Sequence, residues 1–301
     1  MIVVTGATGR LGSQVVERLL ERVPADSLGV SVRDAARAAH LAGRGVRVRE
    51  ADFTRPATLG AVFEGADTVL VVSPSIAGPG AAAASRAAVD HAVAAGARRI
   101  LYTSHQAASP DSRFAAQPTH AAVEEHLREV PARTTALRHG FYASTLERYA
   151  PRALETGELR VPEDGPFSWS DHADLAEADA VALTDPGTPD GPTPPLTAPD
   201  LLDLADVARV LTDLTGRTVR RVVVDDEEWV ADQVALGVPR PAAEFVLGMF
   251  RAARRGDFAV AGPFLEELIG RRPVSVRESL DRFLRTLPAR SGSGPVPGSA
   301  V

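Results

Sequence analysis

Apolar runs of four to six residues alternate with amphipathic stretches along the first 140 residues. The runs Ile2–Thr5, Leu28–Val32, Val46–Arg49, Thr68–Val72, Arg99–Thr103 and Thr134–Arg138 predict strands. Between them, helical patterns occupy about 11–23, 35–42, 57–64, 81–95 and 118–129. Short apolar strands separated by amphipathic helices predict an α/β layering, with a parallel sheet covered on both faces. Right-handed crossovers then make the order doubly wound.

The rhythm changes after Gly140. Pro162 to Trp169 reads as irregular and Asp171–Leu183 as a helix. Thr184–Pro199 holds six prolines, which leaves room for loop with at most short extended pieces. Asp203 is placed to cap a helix running to about Leu214, with Asp206 at the third position and Gly216 as its stop. Val219–Val224 predicts a strand, and 226–236, 241–254 and 263–269 predict helices. Ser275 and Glu278 form a capping-box pattern ahead of Leu280, Phe283 and Leu284. The expected organisation is a nucleotide-binding domain over 1–150 and a smaller, mostly helical lobe over 151–287, with sheet strands free to be shared between them. The Ser/Gly/Pro-rich stretch 288–301 is expected to be a disordered tail.

The chemistry begins at Thr5-Gly6-Ala7-Thr8-Gly9-Arg10-Leu11-Gly12, a glycine-rich turn between the first strand and the first helix. Gly6 permits the tight turn, Gly9 lets backbone approach a phosphate, and Gly12 lets the helix pack on the strand. Backbone N–H groups at a helix start bind an anion without a charged side chain. Placed within repeated strand–helix units, the turn predicts a Rossmann-like dinucleotide site. The second strand ends in Ser31-Val32-Arg33-Asp34. An arginine there favours the 2′-phosphate of NADP, while Asp34 is free to cap the next helix. Arg37 lies one helical turn further on. After the third strand, Asp52 is placed to accept from the adenine amino group and Phe53 to pack near the ring.

Composition removes alternatives. The chain of 301 residues fits one large domain, or one domain and a lobe. Its 45% hydrophobic and 24% charged residues are ordinary for a soluble protein. A net charge of -6 gives no electrostatic reason to expect a nucleic-acid partner. No apolar run approaches the roughly 18 residues of a membrane span, so no membrane partner is expected. The first strand begins at Met1, which predicts no signal peptide and a cytoplasmic setting. Without cysteine there is no disulfide, thiolate metal site or cysteine nucleophile. No histidine–carboxylate spacing suggests a metal. There is no lysine; all 33 basic residues are arginine.

Together, Val4 through Gly12, Val32-Arg33-Asp34, Glu50-Ala51-Asp52-Phe53, Tyr102-Thr103-Ser104 and Leu137-Arg138-His139-Gly140-Phe141-Tyr142 resemble the NmrA-like, atypical branch of the short-chain dehydrogenase/reductases. Within that branch the chain is most similar to the bacterial NADPH:quinone oxidoreductases of type 2. The resemblance continues loosely through Gly216-Arg217-Thr218-Val219 to Leu268-Ile269-Gly270-Arg271-Arg272-Pro273. It implies NADPH in a cleft between the two parts and hydride delivery to a quinone-like acceptor. Two segments depart from the pattern. Where the family often carries a lysine, His120-Ala121-Ala122-Val123-Glu124-Glu125 aligns a glutamate, and the segment after the fourth strand reads Ser73-Pro74-Ser75-Ile76.

The usual Tyr-x-x-x-Lys pair of that superfamily is impossible here, since none of Tyr102, Tyr142 and Tyr149 has a lysine to lower its pKa. The ends of the central strands should place Ser73, Pro74, Ser104, His105, Gly140, Phe141 and Tyr142 around the reacting ring, with Ser73, Pro74, Thr103 and Ser104 among the cofactor-binding residues. His105 is the candidate titratable group and Tyr142 the candidate hydrogen-bond donor. His120, His126, His139 and His172 read as packing or structural residues, and the pairs Glu124-Glu125, Asp225-Asp226 and Glu227-Glu228 as solvated helix faces or caps. Three functions stay open: a reductase of a quinone-like small molecule, an NADP-binding sensor without turnover, and a biosynthetic tailoring reductase. A homo-oligomer is compatible with each.

Overall fold

The computed structural model describes residues 1–74, 78 and 80–288. In chain order the first part holds β1 (Ile2–Thr5), α1 (Arg10–Leu20), β2 (Leu28–Val32), α2 (Ala39–Ala42), β3 (Arg47–Glu50), β4 (Thr68–Val71), α3 (Gly80–Ala94), β5 (Arg99–His105), α4 (Ala116–Glu129) and β6 (Arg133–His139). The second runs through β7 (Phe141–Tyr142), α5 (Ala150–Thr156), β8 (Glu158–Pro162), β9 (Phe167–Ser170), α6 (His172–Thr184), β10 (Gly191–Pro192) and β11 (Leu201–Leu202). It ends with α7 (Leu204–Thr215), β12 (Arg220–Val224), α8 (Asp226–Ala235), α9 (Arg240–Arg254), α10 (Phe264–Ile269) and α11 (Val276–Thr286).

Among the described residues, seven strands form one sheet in the order β10-β6-β5-β4-β1-β2-β3. Every pairing in it is parallel. This is the expected doubly wound, Rossmann-like arrangement. The strand order reverses between β1 and β4, where an open α/β fold places its ligand crevice. One face is covered by α1 and α6 around Val15, Leu19, Leu175 and Leu183, the other by α3 and α4 around Val89, Val123 and Leu127.

Two expected helices are shorter and tighter than their pattern suggested. Residues Ala35–Ala38 form a 3-10 turn before α2, and 57–64 resolves into the 3-10 turns Pro56–Thr58 and Gly60–Phe63. The stretch Pro162–Trp169 is more regular than expected. β9 lies between β7 and β11, and β8 pairs in parallel with β12. These strands enclose a second core built on Phe141, Phe167, Trp169, Phe250 and Phe258. The chain also returns to the first sheet, with α6 packed on α1 and β10 paired with β6. So α6 and β10, from the second half of the chain, complete the first layer. The expected tail beyond Pro288 lies outside the described residues, as do Ser75 and Ile76.

The caps follow from local chemistry. Asp203 and Asp206 form a reciprocal capping box on α7, as Ser275 and Glu278 do on α11, and Gly216 closes α7 in the left-handed conformation. Among the described residues no helix is long and apolar enough to cross a membrane.

Candidate functional site

At the carboxyl end of β1 the chain turns through Gly6, whose φ of +64° suits a residue without Cβ. The Gly9 N–H donates to the Gly6 carbonyl at 2.9 Å. A Cβ on Gly12 would sit 2.4 Å from that same carbonyl oxygen, so α1 starts this close to β1 only because residue 12 is glycine. Gly9 caps α1 with no side chain, and the first turn of α1 carries no acidic residue. The unpaired N–H groups and the positive end of the helix dipole are left facing outward, an arrangement that suits a pyrophosphate.

A groove of about 460 Å³ runs from this turn across the ends of β2, β3 and β4. Gly6, Thr8, Gly9, Arg10, Leu11, Gly12, Arg33, Asp52, Phe53, Ser73, Pro74 and Tyr142 all line it, as does Arg37. Asp34 accepts from the Ala36 N–H at 2.9 Å and caps the 3-10 turn, which leaves Arg33 to face the groove. Neither Arg33 nor Arg37 has an ion pair among the described residues, and both are exposed. An unpaired pair of guanidinium groups beside the ribose end is the chemistry a 2′-phosphate requires. Asp52 is partly committed: its Oδ1 accepts from the Thr54 N–H at 2.9 Å and the Thr54 hydroxyl at 2.7 Å. Those two bonds, with Arg55 and Arg33 nearby, hold its carboxyl below the usual range. It remains an anion that can accept from an amino group.

Thr103 and Ser104 lie beneath the groove and do not line it. The Thr103 hydroxyl accepts from the Ser73 N–H at 2.8 Å, as the Thr5 hydroxyl does from Val72 N–H at 2.8 Å. These two buried hydroxyls pin Val72 and Ser73, the segment that follows β4. Ser104 donates to Glu124 at 2.6 Å, and Arg138 donates to both oxygens of the same carboxylate at 2.9 and 2.6 Å. Glu124 is buried, which corrects its reading as a solvated face; its partner Arg138 comes from β6 and could not be foreseen from helix spacing. Arg10 also departs from a simple phosphate role. It forks onto Glu147 at 2.8 and 2.5 Å, linking the turn to the segment after β7.

His105 stands at the end of β5 but is not among the groove-lining residues. Its ring is boxed by Phe141 at 5.5 Å, Phe258 at 5.8 Å and His120 at 6.0 Å between centroids. Its Nδ1 accepts from the Gln117 amide at 2.8 Å and the Ala107 N–H at 3.3 Å, so the ring proton sits on Nε2. Burial, then the neighbouring His120 and His139, hold its pKa well below the ordinary value. His105 is therefore a neutral donor rather than an acid.

Tyr142 projects into the groove, its ring 4.3 Å from that of His172. Its hydroxyl has no partner among the described residues, and burial pushes the phenol up, so it stays protonated. His172 lines the groove too, although the sequence suggested only a structural role. Burial and Arg10 lower its pKa to about 4, leaving it neutral. Its place in the site depends on α6 folding back against α1, and no periodicity signals that.

A quinone oxidoreductase 2 of Escherichia coli is 31% identical over 286 residues, 94% of this chain and 98% of the relative. An NAD(P)H azoreductase of Xenophilus azovorans is 33% identical over 255 residues, 84% of this chain and 87% of the relative. The crystal structure of the E. coli NADPH-dependent quinone oxidoreductase with NADPH superposes with a TM-score of 0.89 at 30% identity, covering 94% of this chain and 100% of that one. A Citrobacter triphenylmethane reductase complexed with NADP(H) gives 0.88 at 28% identity, with 94% and 100% covered. The model of the NmrA-like family matches residues 1–281, and the chain belongs to that family.

Proposed function

We propose that this chain is an NADPH-dependent oxidoreductase that passes hydride to a quinone or a similarly conjugated small molecule without a tyrosine–lysine pair. The observation that carries the cofactor is the groove itself: an open helix N-terminus at one end and two unpaired arginines at the other. When bound, NADPH supplies the hydride, and the protein supplies its placement. The first turn of α1 binds the pyrophosphate, Arg33 and Arg37 bind the 2′-phosphate, and Asp52 and Phe53 meet the adenine.

The acceptor class follows from what the groove can do with protons. Tyr142 and His172 flank its reacting end, and both are held neutral by burial. Tyr142 can donate a hydrogen bond to an acceptor oxygen, but with no lysine beside it the phenol does not release its proton readily. An ordinary ketone would leave a strongly basic alkoxide in such a site. A quinone leaves an aromatic, comparatively acidic product that can take its proton from water. The names of the relatives, which speak of quinones, azo compounds and triphenylmethane dyes, all describe conjugated acceptors.

The test is Tyr142→Phe assayed with NADPH and a quinone. A hydrogen-bond donor should cost about tenfold or less in kcat, against roughly 100- to 10,000-fold for a general acid. A loss in the larger range, or turnover of simple aliphatic ketones at rates matching quinones, would overturn this reading.

A further inference from the structure

A second cleft, of about 150 Å³, lies on the far lobe between α5, β8, α8 and α9. It shares no lining residue with the cofactor groove. Its walls mix apolar side chains, Leu159 and Val246 among them, with charged ones, and two aromatic residues, Tyr149 and Trp229, line it. Trp229 is 3% exposed, yet its indole N–H has no hydrogen-bond partner among the described residues. A buried N–H left unpaired is rare and needs an explanation. The Tyr149 hydroxyl also has no partner there, and burial keeps it protonated.

The charges at the mouth are unbalanced. Arg160 pairs with Glu228 at 2.7 Å and approaches Asp232 at 3.9 Å, while Glu158 pairs with Arg220 at 3.2 Å. The acidic groups are thus engaged, whereas Arg148 and Arg152 line the cleft, exposed, with no ion pair among the described residues. Guanidinium, indole N–H and phenol O–H share one property: each can donate. A fitting ligand must accept, must carry negative charge, and must present an apolar body no larger than about one ring to so small a space.

We propose that this cleft binds a small aromatic carboxylate, its ring between Trp229 and Leu159 and its carboxylate toward Arg148 and Arg152. The site stands independently of the reading of the cofactor groove. The test is calorimetric titration of the full chain with sodium benzoate, using benzyl alcohol as the uncharged analogue, with and without saturating NADPH. Benzoate should bind saturably and benzyl alcohol much more weakly. Saturating NADPH should leave the benzoate affinity unchanged. The double variant R148A/R152A, altered only at exposed positions, should weaken benzoate by about tenfold or more, and Trp229→Phe, which removes the N–H donor together with part of the ring, by several-fold. Absence of saturable binding, equal affinity for the alcohol, indifference to R148A/R152A, or displacement by NADPH would each overturn the proposal. If Trp229→Phe fails to fold, the arginine variant and the alcohol comparison still decide it.

Discussion

In the proposed site, Arg33 and Arg37 would carry the distinction between the two nicotinamide cofactors, because Asp34 is spent on a cap. Charge-assisted bonds to a phosphate are worth about 1.5–3 kcal/mol, so Arg33→Ala should weaken NADPH about 10- to 100-fold and leave NADH nearly unchanged. Fluorescence titration with both cofactors reads this, and equal weakening would remove the 2′-phosphate assignment. Gly12 is equally specific. Gly12→Ala places a Cβ against the Gly6 carbonyl, so the turn and α1 must separate. That should cost about 1–3 kcal/mol in denaturant unfolding and weaken NADPH as well; wild-type stability together with wild-type affinity would contradict the role given to the turn. These residues were legible in sequence because a strand, its turn and the following helix are contiguous. Glu124 and His172 were not, since burial and position depend on Arg138 from β6 and on the packing of α6 against α1.

At the scale of elements, α6 holds the site together. Its first residue, His172, faces the groove, while its last turn is tied to β5 by Arg99, which donates to the carbonyls of Asp185 and Ala182 at 3.0 and 2.9 Å. Midway, Asp179 bonds His139 of β6 at 2.7 Å with both side chains buried. Arg99→Met keeps the apolar stem and removes the donors to the helix end, where C-terminal carbonyls need partners. It should destabilise by about 1–3 kcal/mol in urea melts. An unchanged midpoint would show that water replaces the arginine at no cost. The helix itself was legible from Asp171 onward, but its service to the first sheet was not. Nor were β7 and β11, strands of two residues that carry no alternation; they exist because β9 pairs with both.

Across the whole molecule, burial keeps two histidines uncharged, and acid should expose this. Burial lowers His120 and His172 from 6.5 to about 4. Between those values the unfolded chain binds protons that the folded chain refuses, so stability falls as pH drops through about 6.5 and the loss levels off near 4. Each histidine contributes at most about 3 kcal/mol to that loss. His120→Gln, which keeps an acceptor for the Tyr102 hydroxyl, should therefore flatten the acid decline of the unfolding midpoint; an identical decline would remove His120 from the account. A single turnover tests hydride transfer to a quinone. The protein, loaded with one equivalent of NADPH, is mixed with a quinone while reduced nicotinamide and hydroquinone are both followed. Nicotinamide absorbance should disappear as hydroquinone forms, mole for mole. Cofactor that stays bound and reduced in the presence of every quinone offered would contradict it, and would point instead to a protein that senses NADPH without consuming it.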